Sequence, residues 1–340
     1  MINRNVNQIQ ILAEDLYIPW AMEMSEDGRL FFTERNGNLR VIENGIVNPE
    51  PVYTFGPPFV SVGEGGLMGL ALDSNFLSNG FVYLMYTYAE NGRLYNRVVR
   101  MRIEGNAALD EEILLDRIPA GQFHNGGRIK IGPDDYLYIA TGDAQDRDLA
   151  QDINSLAGKI LRIGTDGSIP SDNPINGSPV YALGFRNPQG LAWNDKKVLY
   201  ASEHGETAHD EINIIQPLGN YGWPYVTGNM EMAEMDFSKP VLESGNETWA
   251  PSGIAFVTDG PRMGQLLVAT LRDNVLLAIT LDESGTQVVN VEPLFQGRYG
   301  RLRDVYQAKD GALYLSTSNR DGRGSLHPGD DLILRMVTPM

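Results

Sequence analysis

His124 lies in Phe123-His124-Asn125-Gly126-Gly127-Arg128, and Asp143 follows nineteen residues later. A carboxylate that holds one ring nitrogen leaves the other free to take a proton. The pair is therefore a candidate general base with its orienting acid. The alternative is a structural histidine satisfied by its neighbours. Arg186, in Gly184-Phe185-Arg186-Asn187-Pro188-Gln189-Gly190, and Arg272, Arg301 and Arg303 add positive charge. Guanidinium groups gathered at one place suit a multiply charged anion whose planar carboxylates they can grip bidentately. Against that stands local pairing, Arg303 with Asp304 or Arg272 with Asp273. From Glu203 to Tyr221 the chain offers the carbonyls of Gly205 and Glu206, then Asp210 and Glu211, then Asn220-Tyr221-Gly222-Trp223-Pro224. Hard oxygen donors of this mixture fit calcium rather than a transition metal, without matching an EF-hand. A solvated acidic loop followed by a packed aromatic turn is the other reading. His204 and His209 lack a clear third ligand, which argues against zinc.

These groups are scattered over some two hundred residues, so an architecture must gather them. A three-strand unit recurs along the chain. Its middle strands are Leu30-Phe31-Phe32, Val82-Tyr83-Leu84, Leu137-Tyr138-Ile139, Val198-Leu199-Tyr200, Leu266-Leu267-Val268 and Leu313-Tyr314-Leu315. Four follow tight-turn chemistry: Glu26-Asp27-Gly28, Pro133-Asp134-Asp135, Asn194-Asp195-Lys196 and Lys309-Asp310-Gly311. Alternating strands follow each, at 38–42, 96–103, 159–163, 211–215, 274–280 and 331–336. Repeats near fifty residues predict an all-β chain folded as a six-bladed β-propeller rather than two sandwiches. The whole of 1–340 is expected to form one domain. The unpaired segment from Gln8 to Leu12 is expected to close the last blade as its outer strand. Asp148 to Ala157 is the best helix candidate.

With strands a to d counted outward from the channel, the loop entering strand a and the b–c loop share one face. The first carries Glu64, His124, Arg186 with Asn187, Thr248 with Trp249, then Arg301 and Arg303. The second carries Asp143, Glu203-His204-Gly205-Glu206, Arg272 and Asn319-Arg320-Asp321. Six stretches thus converge on one channel mouth, where a rigid scaffold places binding loops.

Composition removes several classes. Lys and Arg number 27 against 44 Asp and Glu, a net charge of −17 that disfavours nucleic acid and anionic lipid. The absence of cysteine excludes disulfides, thiolate metal sites and a cysteine nucleophile. No apolar run is long enough to span a bilayer, so no membrane insertion is expected. Met1-Ile2-Asn3-Arg4 leads into no apolar leader. The expectation is a cytoplasmic chain or one whose leader has been removed.

These motifs resemble the soluble quinoprotein sugar dehydrogenases, the family of soluble glucose dehydrogenase and the shorter aldose sugar dehydrogenases. The resemblance runs from Pro19-Trp20-Ala21 to Leu332-Ile333-Leu334-Arg335. Its anchors are Gly65-Gly66-Leu67-Met68-Gly69-Leu70-Ala71, His124 with Gly127-Arg128, Phe185 to Gly190, Asp210-Glu211-Ile212-Asn213 with Gly219 to Pro224, and Arg301-Leu302-Arg303-Asp304-Val305. It implies a six-bladed propeller with pyrroloquinoline quinone and Ca2+ as cofactors. It implies oxidation of an aldose at the anomeric carbon to a lactone, with electrons leaving to an external acceptor. On that pattern His124 is the base, Asp143 orients it, and Arg186 steadies charge on the quinone oxygen beside Asn187. Arg301, Arg303 and Thr248 contact the cofactor, and Arg272 stands where the glucose enzyme has lysine. Gly205 and Glu206 carbonyls bind the cofactor's calcium, and Glu211 and Tyr221 a second, structural one. Glu64 and His204 each replace a glutamine, Phe123 replaces a polar residue, and Asn246 replaces an aromatic cofactor contact. The resemblance also implies an extracytoplasmic monomer or homodimer. Two other readings are a non-catalytic propeller that binds carbohydrate or protein at the same mouth, and a calcium-dependent hydrolase of lactonase type.

Overall fold

The computed structural model describes residues 9–233 and 235–336. Six antiparallel sheets arise one after another along the chain. Their innermost strands are Pro19–Met24, Leu67–Leu72, Ile129–Ile131, Pro188–Trp193, Pro251–Phe256 and Leu302–Gln307. Each of these packs against the next and the last against the first, so the sheets form the blades of a closed six-bladed β-propeller. The middle strands, Leu30–Glu34, Phe81–Glu90, Leu137–Thr141, Leu199–Glu203, Leu266–Thr270 and Leu313–Thr317, are buried along almost their whole length. Each lies between two neighbouring blades, so both of its faces are apolar and the strand reads as a continuous hydrophobic run.

Ile9–Ala13 pairs antiparallel with Ile333–Met336 and forms the outer strand of the sixth sheet. Gln8 lies outside the described residues. This pairing fastens the first and last described strands into one sheet. The helix expected over 148–157 does not form. Only Arg147–Ala150 winds into a single 3-10 turn. The buried Lys159 ammonium donates to the carbonyls of Leu149 (2.7 Å), Ala150 (3.0 Å) and Ala157 (2.7 Å), drawing them away from helical partners. Asp152 and Ser155 hydrogen-bond instead to the backbone two residues on, at Asn154 and Ala157. Among the described residues, no helix is long and apolar enough to cross a membrane.

Two features of the innermost strands shape the channel. Five of the six slip register near their first residues, at Pro19/Ala21, Leu67/Leu70, Pro188/Gly190, Pro251/Ile254 and Leu302/Asp304. Bulges there bend the strand and re-aim the side chains that enter from the mouth loops. One register position further in, four blades carry small residues, Ala21, Gly69, Gly190 and Gly253, while the other two carry Arg128 and Asp304. Arg128 Nη1 meets Asp304 Oδ1 at 3.1 Å, with both side chains almost fully buried. Arg128 Nε donates to the Gln189 carbonyl at 2.9 Å, and the guanidinium lies 4.4 Å from the Trp20 ring centroid. Asp304 Oδ2 accepts the Met22 N–H at 3.0 Å. A Cβ on Gly253 would collide with the Asp304 carboxylate, so this blade can hold only glycine beside it. The pair ties blades 1, 3, 4 and 6 together across the channel.

Removing one member of a buried pair strands the other charge, at about 3–5 kcal/mol. Asp304→Ala should therefore lower stability by about that amount in equilibrium denaturation, and Arg128→Met with Asp304→Leu should recover most of it. A double variant as unstable as the single one would show that the pair is not what holds the channel.

Candidate active site

At the mouth, His124 has φ +59°, a left-handed conformation that a non-glycine residue adopts only when its surroundings impose it. Two main-chain bonds impose it here. The His124 N–H donates to Glu64 Oε2 at 3.0 Å, and its carbonyl accepts the Ala144 N–H at 3.1 Å. Gly142 passes so close to that carbonyl that no side chain would fit. The next residue, Asp143, thereby brings Oδ1 to 2.8 Å from His124 Nδ1. Asp143 is itself buried and fixed: Oδ1 accepts the Gln145 N–H at 2.8 Å, and Oδ2 accepts the Trp223 indole N–H at 2.9 Å. Asp143 thereby occupies Nδ1 of the ring and leaves Nε2 free of it.

The loop that carries His124 also walls a cavity of about 130 Å³ through Phe123, Asn125 and Gly126, while His124 and Asp143 themselves do not line it. Its wall includes four guanidinium groups, Arg35, Arg301, Arg303 and Arg323, and only two carboxylates, Glu64 and Asp321. Arg301 Nε binds Asp321 Oδ2 at 2.8 Å and its Nη1 the Leu271 carbonyl at 2.9 Å. Arg303 Nη1 binds Gln189 Oε1 at 2.8 Å, while its Nε has no partner among the described residues. Burial drags the Arg303 guanidinium down to about 9, and burial also lowers Arg35 and Arg186. Burial alone would raise Glu64, but His204, Arg323 and the His124 N–H outweigh it and hold this acid below its usual range. Arg323 Nη1 reaches Glu64 Oε1 at 2.6 Å, and its guanidinium lies 5.3 Å from the Phe123 ring centroid.

His204 also lines the cavity, with Nε2 buried and unpartnered. Arg186 is off this wall, its guanidinium 5.5 Å from the Trp223 ring and its Nε again without a partner among the described residues. Asn187 fixes the His124 loop by accepting the Gly126 N–H at 2.9 Å, and its amide nitrogen is left open. Thr248 and Arg272 do not enter the cavity wall: the Thr248 hydroxyl donates to the Thr207 carbonyl, and Arg272 is exposed. The adjacent Ala250 and Leu271 line it instead.

A second, very small cavity of about 10 Å³ lies between Arg186, Glu203, Gly205, Glu211 and Tyr221. Glu203 and Glu211 are cross-strand partners, and both accept from Asn213 Nδ2, at 3.3 and 2.9 Å. Burial, followed by the facing Glu211, pushes Glu203 well up, and burial pushes Glu211 up to about 7. Two facing acids in this state are stabilised by a cation. Among the described residues, no three acid or histidine side chains converge on a metal, so a cation here needs main-chain carbonyls as well. The Tyr221 ring stacks on Phe185 at 4.6 Å, and its hydroxyl is engaged by Ile214 and Gln216. Only the Tyr221 carbonyl is therefore available as a ligand. The Gly205 N–H donates to Asp210, and the exposed Glu206 side chain pairs with Arg147 at 3.1 Å.

Comparison with known proteins accounts for this arrangement. A family model described as Glucose / Sorbosone dehydrogenase matches residues 16–334. The chain belongs to that family. It is 31% identical to an aldose sugar dehydrogenase of Escherichia coli K12, over 92% of this chain and 91% of that one. It is 34% identical to quinoprotein glucose dehydrogenase B of Acinetobacter calcoaceticus, over 64% of this chain and 52% of that one. The solved structure of a PQQ-bound aldose sugar dehydrogenase from Streptomyces coelicolor superposes with a TM-score of 0.87 at 38% identity, covering 97% and 98% of the two chains. Family membership makes the chain an oxidoreductase acting on sugars.

Several residues of the site escape a reading of the sequence alone. Arg35 sits at the b–c position of blade 1, in phase with Asp143, His204 and Asp321, and that phase was the available signal. Trp223 was visible only as part of an aromatic turn. Arg323 meets Glu64 across a separation of 259 residues, which no local pattern encodes.

Burial pulls the His204 imidazole down to about 4, against an ordinary value near 6.5. The unfolded chain then binds the extra proton first, so stability contributed here falls as pH drops from about 6.5 toward 4. Replacing His204 with Gln should remove up to about 3 kcal/mol of that acid sensitivity. Denaturation curves at pH 7 and pH 4.5 for the two proteins measure it.

Proposed function

We propose that this chain oxidises aldose sugars at the anomeric carbon to lactones, using pyrroloquinoline quinone and calcium and passing electrons to an external acceptor. The carrying observation is the His124–Asp143 pair, whose chain neighbours Phe123, Asn125 and Gly126 wall a cavity in which guanidinium groups outnumber carboxylates four to two. A tri-carboxylate cofactor matches that imbalance, and the unpartnered Nε–H groups of Arg35 and Arg303 on the cavity wall are donors without acceptors among the described residues. Arg301, Arg303 and Arg35 would hold its acidic groups. Arg186 would stabilise negative charge at its reactive edge. The carbonyls of Gly205 and Glu206 would hold calcium beside it. Glu211 with the Tyr221 carbonyl would hold a second calcium, which the facing acids favour.

When bound, the quinone supplies the carbonyl that accepts a hydride. The protein's own part is proton handling and placement. Neutral His124, with Nδ1–H on Asp143, presents Nε2 to the anomeric hydroxyl and takes its proton as the carbon loses hydride. Asp143 stabilises the imidazolium that forms and keeps the ring from turning, and Trp223 keeps Asp143 from turning. Glu64 holds the main chain of His124, so the base cannot relax out of its left-handed conformation.

Addition of the quinone and calcium to purified protein should give aldose-dependent dye reduction. His124→Ala should lower kcat by about 10²–10⁴-fold while quinone affinity, read from its absorbance, changes only a few-fold. Equal losses of binding and turnover would remove His124 from the role of base.

A further inference from the structure

Arg323 lies in the loop between Leu313–Thr317 and Ile333–Met336 of the sixth blade. Its N–H donates to Asp321 Oδ1 at 2.9 Å, and Asp321 Oδ2 is held by Arg301 Nε at 2.8 Å and by the Ser318 hydroxyl at 3.2 Å. From that fixed turn the side chain crosses the mouth to the loops that enter blades 2 and 3. Nη1 meets Glu64 Oε1 at 2.6 Å, the one hydrogen bond to that oxygen among the described residues, and the guanidinium lies 5.3 Å from the Phe123 ring centroid. Glu64 in turn fastens the chain on both sides of Phe123. Its N–H donates to the Gln122 carbonyl at 2.7 Å, and its Oε2 accepts the His124 N–H at 3.0 Å. Direct contacts therefore run without a break from Arg301 to His124.

We propose that Arg323 is a positioning residue for His124, gripping the carboxylate that holds the His124 N–H and covering the Phe123 ring beside it. Its bearing on turnover rests on the reading of His124 as the base. Glu64 stands where the family resemblance has a glutamine. An amide accepts a main-chain N–H without a counter-charge, whereas a carboxylate only 20% exposed requires one. Burial works against the ionised form of Glu64, and His204 and Arg323 oppose burial. Arg35, Arg186 and Arg303 also face this acid, but among the described residues Arg323 is the cation bonded to it. Arg323 itself is 53% exposed, so the bridge adds little to overall stability. Its consequence is positional, because the left-handed backbone of His124 persists only while its surroundings impose it.

Amide hydrogen exchange at His124, read by NMR in the quinone-free protein, tests the clamp in Arg323→Met and Arg323→Lys. Exchange should quicken at least about tenfold in the methionine variant, as the bond to the His124 N–H loosens. The lysine variant keeps a charged donor for Oε1 and should return exchange to within about twofold of the parent. Unchanged exchange in the methionine variant, equal quickening in both, or quickening shared by amides of all six blades would each overturn the clamp. With quinone and calcium added, Arg323→Met should lower kcat about tenfold while KM changes less than about twofold. A loss confined to KM would also overturn it. A parent protein without sugar-dependent dye reduction would count against the proposed function instead, and the exchange rates would still decide whether Arg323 holds His124.

Discussion

Guanidinium groups cannot be packed together away from water without an anion to meet them. At the channel mouth, Arg35, Arg301, Arg303 and Arg323 share one wall while only Glu64 and Asp321 answer them, and burial weakens the hold of Arg303 and Arg35 on their protons. A protein that carries −17 overall has no need to concentrate cations there for solubility. The arrangement has the form of a preorganised socket: on the reading proposed above, a multiply acidic ligand would relieve its electrostatic strain and accept hydrogen bonds from its open nitrogens.

The propeller makes the socket possible because it converts sequence phase into position. Each blade delivers one loop before its first strand and one between its second and third to the same end of the channel. Residues from all six blades thereby meet within a cavity of about 130 Å³. The bulges at the mouth end of five inner strands aim these residues. Below them the Arg128–Asp304 pair crosses the channel, with small residues in the other four blades making room. The same device sets His124. Glu64 from one loop, Gly142 and Asp143 from another, and Trp223 from a third hold a single imidazole in a conformation it would not otherwise take.

Most of the architecture could be read before any coordinates, because middle strands buried on both faces declare themselves as apolar runs at a fifty-residue period. His124, Asp143, Arg301 and Arg303 were legible for a related reason: they fall at one phase of that repeat. What stayed hidden depends on contacts between distant blades. The Arg323–Glu64 bridge, the indole of Trp223 on Asp143 and the plug of Arg128 on Asp304 have no local signature. The helix expected over 148–157 failed because Lys159, further along the chain, captures its carbonyls. Arg272 and Thr248 lie at the right phase, yet their neighbours Leu271 and Ala250 face the cavity. Phase predicts which loop arrives at the mouth but not which of its side chains turns inward.

The socket is tested most directly by calorimetric titration of pyrroloquinoline quinone into the calcium-loaded protein, beside the same titration into Arg303→Met. The account predicts one saturable site per chain that weakens as salt is raised, with at least a tenfold loss of affinity in the variant. Absence of saturable binding, or binding indifferent to both salt and Arg303, would contradict it.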